Sequence, residues 1–183
     1  MTPSPTAAFL PASASPWLRL DIRLFRLLHA GRGPAALMGF ARALARWSWL
    51  PLLALVAWVS LDHRLGPVLA LLCLAWAGLV QLAGKRLARR WQAQRPFALG
   101  LCPNHLGHGG RAGFPSSHAL VMGAVLGALL PHTASGAALA AMAALALGTG
   151  WARVHTGAHF PLDVIVGLAM GLAAGLGFGL LLA

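Results

Sequence analysis

The sequence is poor in acidic residues. It contains three Asp+Glu against 14 Lys+Arg in 183 residues, and only 9% of its residues are charged, where a soluble domain has about a quarter. Hydrolysis by carboxylate-held metal ions needs several oxygen ligands, and paired-carboxylate chemistry needs two acids at one site. Both are excluded here, because Asp163 is the only acid after Asp62.

Cysteine is scarce as well. Cys73 lies within an apolar run and Cys102 lies in a polar connection, so the two residues differ too much in depth to pair. We predict no disulfide and no thiol chemistry.

What the sequence has instead is long uncharged stretches, with 58% hydrophobic residues and a mean hydropathy of +0.74. A membrane-spanning helix needs about 20 apolar residues. The pattern predicts an all-α integral membrane bundle with about five transmembrane spans. The expected spans are 47–62, 65–85, 116–131, 134–151 and 162–182.

The N-terminal part differs from this pattern. Residues 1–16 are rich in Pro, Ser, Thr and Ala and predict a mobile tail. Residues 17–46 predict interfacial amphipathic helices, because arginines recur there at helical spacing beside leucines. The net charge of +11 then indicates anionic membrane lipids as partners, and no nucleic acid, because the basic residues flank the spans.

Ionisable residues gather on one side of the predicted bundle. Spans 65–85 and 134–151 run in the same direction, so the connections that follow them, 85–118 and 152–163, emerge on one membrane face. Two helices are expected to begin there, near Pro115 and Pro161, and helix N-termini bind anions. Asp163 follows His159 by four residues, which lets its carboxylate face the imidazole. We predict a phosphate site with histidines as nucleophile and proton-transfer groups.

Other interpretations of single features stay open at this point. A zinc site could be built from four histidines, which are His105, His108, His118 and His159. The more ordinary interpretation of His29, His105, His108 and His132 is that they are solvated or interfacial. Glycines at four-residue spacing predict close helix packing, and they are Gly123, Gly127, Gly167, Gly171 and Gly175.

The chain contains Arg95-Pro96, then Pro115-Ser116-Ser117-His118, then Arg153 with His159 and Asp163. In this order they resemble the three motifs of the type 2 phosphatidic acid phosphatase (PAP2) superfamily. Arg95-Pro96 matches the end of the first, which is Lys, six residues, Arg-Pro. Pro115-Ser116-Ser117-His118 matches Pro-Ser-Gly-His, with serine for glycine. Arg153, His159 and Asp163 match the third, with Ala152 in place of its serine. The sequence departs from the first motif at Ala88, where the family has lysine, and either Lys85 or Arg89 could supply that charge.

The resemblance covers about residues 47–183 and implies a PAP2-like transmembrane catalytic domain there. It implies that His159 attacks phosphorus to form a phosphohistidine, that Asp163 holds its tautomer, and that His118 protonates the leaving oxygen and then activates water. The implied phosphate-binding residues are Arg95, Arg153, Ser116, Ser117 and Lys85 or Arg89. No metal and no cofactor is implied.

The implied activity is that of a lipid phosphatase acting on a lipid phosphate or pyrophosphate. The compact layout looks most like bacterial undecaprenyl pyrophosphate phosphatases. The alternatives are a phosphatidylglycerophosphate, phosphatidate or lipid A phosphatase, a lipid phosphotransferase, or an inactive lipid-binding or transport protein on the same scaffold. The sequence does not indicate an oligomeric state.

The expected location is the bacterial inner membrane, with the active site facing the periplasm. The charge distribution argues against this orientation, because the side of the site carries nearly all of the Lys+Arg and positive loops usually face the cytoplasm. We favour the periplasmic orientation, since many of these arginines are expected to bind phosphate or to lie in interfacial helices.

Overall fold

The computed structural model describes residues 15–28, 30–61 and 63–183, which form helices and contain no strand. The seven α-helices of this part of the chain are α1 Pro16–Leu27, α2 Ala35–Trp47, α3 Trp49–Leu61, α4 Pro67–Trp91, α5 Ser117–Leu129, α6 Gly136–His155 and α7 Pro161–Leu182. Two short 3-10 helices, Pro96–Leu99 and Leu130–His132, lie between α4 and α6. The expected tail 1–16 lies almost wholly outside the described residues, as does His29. The all-α membrane fold is confirmed.

The number of full-length spans is smaller than five in the described residues. Three helices are long and apolar enough to cross a membrane, namely those that begin at Pro67, Gly136 and Pro161. The apolar segment Ser117–His132 is shorter. At about 1.5 Å per residue, its 16 residues fall short of a hydrocarbon core of about 30 Å. It nevertheless runs from one end of the bundle to the other, as a central helix largely enclosed by its neighbours.

The first predicted span is one half of a bent pair. Helices α2 and α3 together are apolar enough to cross the membrane, and their axes differ by 53° at the break between them. Pro51 lies in the first turn of α3 and has no N–H to donate to the carbonyl of Trp47, so the helix cannot continue unbroken through this point. The pair counts as a possible fourth span, and the interfacial position expected for residues 35–46 stays a prediction.

Helices α5 and α7 approach each other more closely than other helices of the bundle, through glycines on both. A Cβ added at Gly171 or Gly175 would overlap the carbonyl oxygen of Leu120 or Ala124 in α5, and one at Gly123 would lie 2.8 Å from the Leu172 nitrogen. The close packing predicted from the four-residue spacing is therefore confirmed. It fixes the starts of α5 and α7 relative to each other.

This packing predicts that Gly175→Ala and Gly177→Ala have opposite effects on stability. Both glycines lie in the interior of α7, so alanine gains the same helix propensity, about 1 kcal/mol, at each position. Gly177 faces open space, whereas a methyl group at Gly175 meets the Ala124 backbone and is expected to lower stability by about 2 kcal/mol. Thermal unfolding in detergent would measure this, and equal melting temperatures would contradict the packing.

The polar ends of four helices meet at one end of the bundle. These are the C-terminal ends of α4 and α6 and the N-terminal ends of α5 and α7. The Ser116 N–H, just before α5, donates to the carbonyl of Asp163 in the first turn of α7 at 3.0 Å. The loops 92–116 and 156–160 both close over this end, as the sequence predicted.

Candidate active site

His159 is the centre of the site. It lies in the loop 156–160 between α6 and α7 and is 2% exposed. Its Nδ1 is 2.7 Å from the carbonyl oxygen of Gly113. Because a carbonyl can only accept, Nδ1 carries the proton and Nε2 presents a lone pair. The structure thus selects the tautomer in which Nε2 carries the free lone pair.

Two arginines point at that lone pair. Nη1 of Arg95 and Nη2 of Arg153 are each 3.2 Å from Nε2 of His159. Burial and these two positive charges hold the pKa of His159 well below its usual value, although the hydrogen bond to Gly113 opposes the shift. The imidazole is therefore neutral at pH 7, as a nucleophile must be.

Arg95 is fixed by backbone carbonyls. Its Nη1 donates to Ala158 at 2.7 Å and its Nη2 to Ala112 at 3.3 Å, while Nε reaches the carbonyl of Arg111 at 3.4 Å. These carbonyls belong to both loops, so one side chain joins them. The guanidinium is held in place without a carboxylate partner and keeps its full charge for a ligand.

Arg153 is the most deeply buried cation of the site, at 3% exposure. Its Nη2 contacts only imidazoles, at His159 and at Nε2 of His108, the latter at 3.0 Å. Its Nε has no hydrogen-bond partner among the described residues. A buried charge is normally paired, so a guanidinium with incomplete partners beside Arg95 indicates a site for an anion.

Asp163 lies behind His159, away from the arginines. Its Oδ2 accepts from the Phe160 N–H at 2.8 Å and is 3.7 Å from Nδ1 of His159. The carboxylate of Asp163 therefore lies within ion-pair distance of the His159 imidazole, as expected. Asp163 was expected to hold the tautomer of His159, but the one proton on Nδ1 is donated to the carbonyl of Gly113, which is closer. The catalytic role of Asp163 stays a prediction.

His118 and Lys85 complete the charged surroundings. His118 is in the first turn of α5, and its Nδ1 is buried without a hydrogen-bond partner among the described residues. It lies within electrostatic range of His159, of both site arginines and of Lys85. Which of Lys85 and Arg89 supplies the charge of the motif lysine stays a prediction.

The two serines lie at the start of α5, as expected, and their contact with phosphate stays a prediction. Ser116 is the N-cap residue of α5, yet its side chain makes no capping hydrogen bond. Its N–H is taken by the Asp163 carbonyl and is not free for phosphate, while its buried Oγ has no partner among the described residues. Ser117 is the first residue of α5 and is half-buried.

His108 contacts the site, which the sequence did not indicate. It was expected to be solvated or interfacial, but it is half-buried and its Nε2 contacts Arg153. Asn104 holds this histidine in place, since its side chain donates to the His108 carbonyl at 2.8 Å and accepts from the His108 N–H at 3.1 Å. Burial and the nearby arginines lower the pKa of His108 to about 4. It is therefore neutral at pH 7 and acts as an acceptor for Arg153.

The remaining histidines lie elsewhere. His105 is half-buried, with its Nε2 3.4 Å from the carbonyl of Gly31. His132 is 9% exposed and packs edge-on against His63 at the opposite end of the bundle, so it is not a freely solvated residue, and its interfacial position stays a prediction. Among the residues that the structure describes, no group of three or more His, Cys, Asp or Glu side chains could hold a metal ion.

The fold and site define a helical membrane protein in which two arginines converge on a buried, neutral histidine at one end of the bundle. The sequence profile of the PAP2 superfamily matches residues 66–181, which is more than half of the chain, and this chain belongs to that superfamily. The match contains Arg95, His118, Arg153, His159 and Asp163. A comparison with curated proteins finds no significant match.

Two solved structures have a similar fold. Aquifex aeolicus LpxE is 22% identical with a TM-score of 0.67, and the alignment covers 91% of this chain and 96% of LpxE. A transmembrane PAP2 type phosphatidylglycerolphosphate phosphatase from Bacillus subtilis is 21% identical with a TM-score of 0.68, covering 89% of this chain and 84% of that protein. At these identities the similarity establishes the fold and not the substrate.

Proposed function

We propose that this protein is a lipid phosphatase that removes phosphate from a membrane lipid through a phosphohistidine at His159. The observation that carries the proposal is the convergence of Arg95 and Arg153 on Nε2 of His159, with the Nε of Arg153 lacking a partner among the described residues. A phosphoryl group between the two guanidinium groups would meet both charges and the lone pair of Nε2 together.

In the first step, Nε2 of His159 forms a bond to phosphorus while the bond from phosphorus to the lipid oxygen breaks. Arg95 and Arg153 stabilise the charge on the equatorial oxygens. His118 donates a proton to the leaving oxygen. The Nδ1 proton of His159 stays on the ring, where the carbonyl of Gly113 holds it.

In the second step, His118 takes a proton from a water molecule, which attacks phosphorus as the bond to Nε2 breaks. Inorganic phosphate leaves and His159 returns to its neutral form. We propose that no metal takes part, because the arginines supply the positive charge that a metal ion would otherwise provide. Activity unchanged by a chelator would support this, and loss restored by a divalent ion would overturn it.

Among lipids, we propose undecaprenyl pyrophosphate as the substrate. Beyond Arg95 and Arg153, two further cations act on the site electrostatically, Lys85 on His118 and Arg46 on His108. A pyrophosphate carries more negative charge than a phosphate monoester, so it matches the surplus of positive charge around the site better. The phosphatidylglycerolphosphate phosphatase with a similar fold makes that lipid the alternative to compare.

Phosphate release from the detergent-solubilised protein tests the proposal. The panel contains undecaprenyl pyrophosphate, undecaprenyl phosphate, phosphatidylglycerophosphate and phosphatidate, each at equal mole fraction in the micelle. The highest kcat/KM is expected for the pyrophosphate. A preference for phosphatidylglycerophosphate would replace the proposed substrate, and no release from any lipid above that of a His159→Ala variant would overturn the proposed activity.

Lys85 and Arg89 are the two candidates for the charge of the missing motif lysine, and substitutions of the two can be compared as a matched pair. Both are exposed cations near the end of α4, and we propose that Lys85, which contributes to the electrostatics of His118, supplies that charge. Lys85→Met is expected to lower kcat/KM by about a hundredfold, the lower end of the range for loss of one charge-stabilising group, and Arg89→Met by less than about twofold. Equal losses in the two variants would contradict the assignment.

We also propose that the protein lies in a bacterial inner membrane with the site facing the periplasm. Cys102 is a poor probe of orientation, because its side chain packs against Gly31 and Gly157 and burial raises its pKa to about 11. Arg111 is exposed on the same loop. An impermeant thiol reagent should label an Arg111→Cys variant in bacteria whose outer membrane alone is permeabilised, and labelling only after lysis would reverse the orientation.

A further inference from the structure

Helix α1 packs against the start of α7 through a buried face. Ile22 and Phe25 are each 1% exposed, and the ring of Phe25 meets that of Phe160 edge-on at 5.8 Å between centroids. Asp21, on the same face, accepts a hydrogen bond on Oδ1 from the Leu162 N–H at 2.9 Å. Helix α1 precedes residues 66–181, which match the family, and it contacts Phe160, the residue next to His159.

The start of α7 needs an acceptor from outside the helix. The first N–H groups of a helix have no partner within it, and Phe160 at the N-cap position makes no side-chain capping bond. Pro161 has no N–H. Asp163 takes the N–H of Phe160, and Asp21 accepts that of Leu162.

The chain that follows α1 holds the other side of the same loop. The Gly31 N–H donates to the carbonyl of His155, the last residue of α6, at 2.7 Å. The loop 156–160, which carries His159, is therefore fixed on both sides by contacts from the N-terminal part of the chain.

The position of Asp21 is notable in so acid-poor a chain. Two of the three acidic residues meet at the start of α7. Asp163 lies in its first turn and Asp21 contacts it from α1, so their like charges repel. Burial raises the pKa of Asp21 to about 6, although the hydrogen bond from Leu162 opposes this, so the carboxylate is largely ionised at pH 7. The two acids satisfy different N–H groups, and the positive end of the helix dipole favours both.

We propose that Asp21 is a positioning residue, and that α1 is a brace which holds the loop 156–160 and His159 in the reactive geometry. This inference rests on the proposed function. Asp21 acts through Leu162 and the loop and does not touch the phosphate. Loss of its acceptor lets the start of α7 shift relative to Arg95 and Arg153, and a small misplacement of a nucleophile slows the chemical step strongly.

Asp21→Leu and Asp21→Asn test the brace. Leucine removes the acceptor and keeps the volume, whereas asparagine keeps an oxygen at the same place. Asp21→Leu is expected to lower kcat about tenfold with KM nearly unchanged, and Asp21→Asn should recover most of the loss. Arg23→Leu removes a charge from the exposed face of α1 and serves as the matched control, with kcat expected to stay at the wild-type value.

Amide hydrogen exchange supplies a second measurement that does not need activity. Exchange in Asp21→Leu should quicken over residues 156–164 and stay unchanged in α4 and α5. The brace would be overturned if exchange over residues 156–164 stayed unchanged or if exchange rose over the whole chain. An equal loss of kcat in Arg23→Leu would overturn it as well. If the wild-type protein releases no phosphate, the proposed function fails, while the exchange data still decide whether α1 holds the loop. Asp21→Ala takes the place of Asp21→Leu if the latter is poorly folded.

Discussion

His159→Ala and His159→Gln are both expected to lower kcat for phosphate release by at least about a thousandfold, the scale seen when a covalent nucleophile is removed. In both variants no labelled phosphoenzyme should form. The two substitutions fail for the same reason, which is the absence of the nitrogen that bonds to phosphorus.

The two variants differ in what they do to the empty site. Alanine leaves Arg95 and Arg153 without the acceptor at 3.2 Å that both now share, so two buried cations lose their common partner. Glutamine can place an amide oxygen in a similar position and preserve the contacts of the arginines. We therefore expect His159→Gln to bind inorganic phosphate or lipid more nearly as the wild type does, while catalysis is lost in both.

The measurement is phosphate release from the preferred lipid, together with trapping of radiolabelled protein after a rapid quench in alkali, where phosphohistidine is stable. His63→Ala is the matched control, since His63 lies at the opposite end of the bundle beside His132. Its activity should equal that of the wild type. Release by His159→Gln at more than about a tenth of the wild-type rate would contradict a covalent role for His159.

The sequence predicted the later helices well and the first span poorly. Apolar runs gave 134–151 and 162–182, against α6 Gly136–His155 and α7 Pro161–Leu182 in the structure. Hydropathy reports which residues avoid water and not where a helix ends, so α4 continues past the predicted end at 85 to Trp91 through a basic segment of good helix formers. The run at 47–62 is short because it is only the second half of the bent pair.

In the site, sequence placed the side chains but not the backbone groups that orient them. Arg95, Arg153, His159 and Asp163 were predicted together, and the structure brings them together. The carbonyl of Gly113, which fixes the tautomer of His159, has no signature, because every residue has a carbonyl and only the path of the loop aims it.

Contacts between segments distant in sequence were equally hidden. The sequence offered a weak signal for His108 in the glycine-rich run that follows it, but its contact with Arg153 spans 45 residues. The contact of Asp21 with Leu162 spans 141 residues. Such pairs follow from the packing of whole helices, which periodicity along one segment does not report.

Substitution of His118 is expected to separate the two steps of the reaction. His118→Ala should lower kcat by about a thousandfold for a phosphate monoester, because the leaving alkoxide then departs without a proton. For a lipid pyrophosphate the leaving group is itself a phosphate, which is a far weaker base and needs little protonation. His159 should therefore still react with it, but hydrolysis of the phosphohistidine lacks the group that activates water.

The variant should consequently accumulate phosphoenzyme from undecaprenyl pyrophosphate and not from phosphatidate, with a burst of lipid product equal to the enzyme present. Rapid-quench trapping with both substrates measures this, and the double variant with His159→Gln provides the blank. Equal loss of the first step on both substrates would contradict the role of His118 as the acid, because a proton donor must matter more for the more basic leaving group. The comparison thus assigns His118 by chemistry, independently of its position in the first turn of α5.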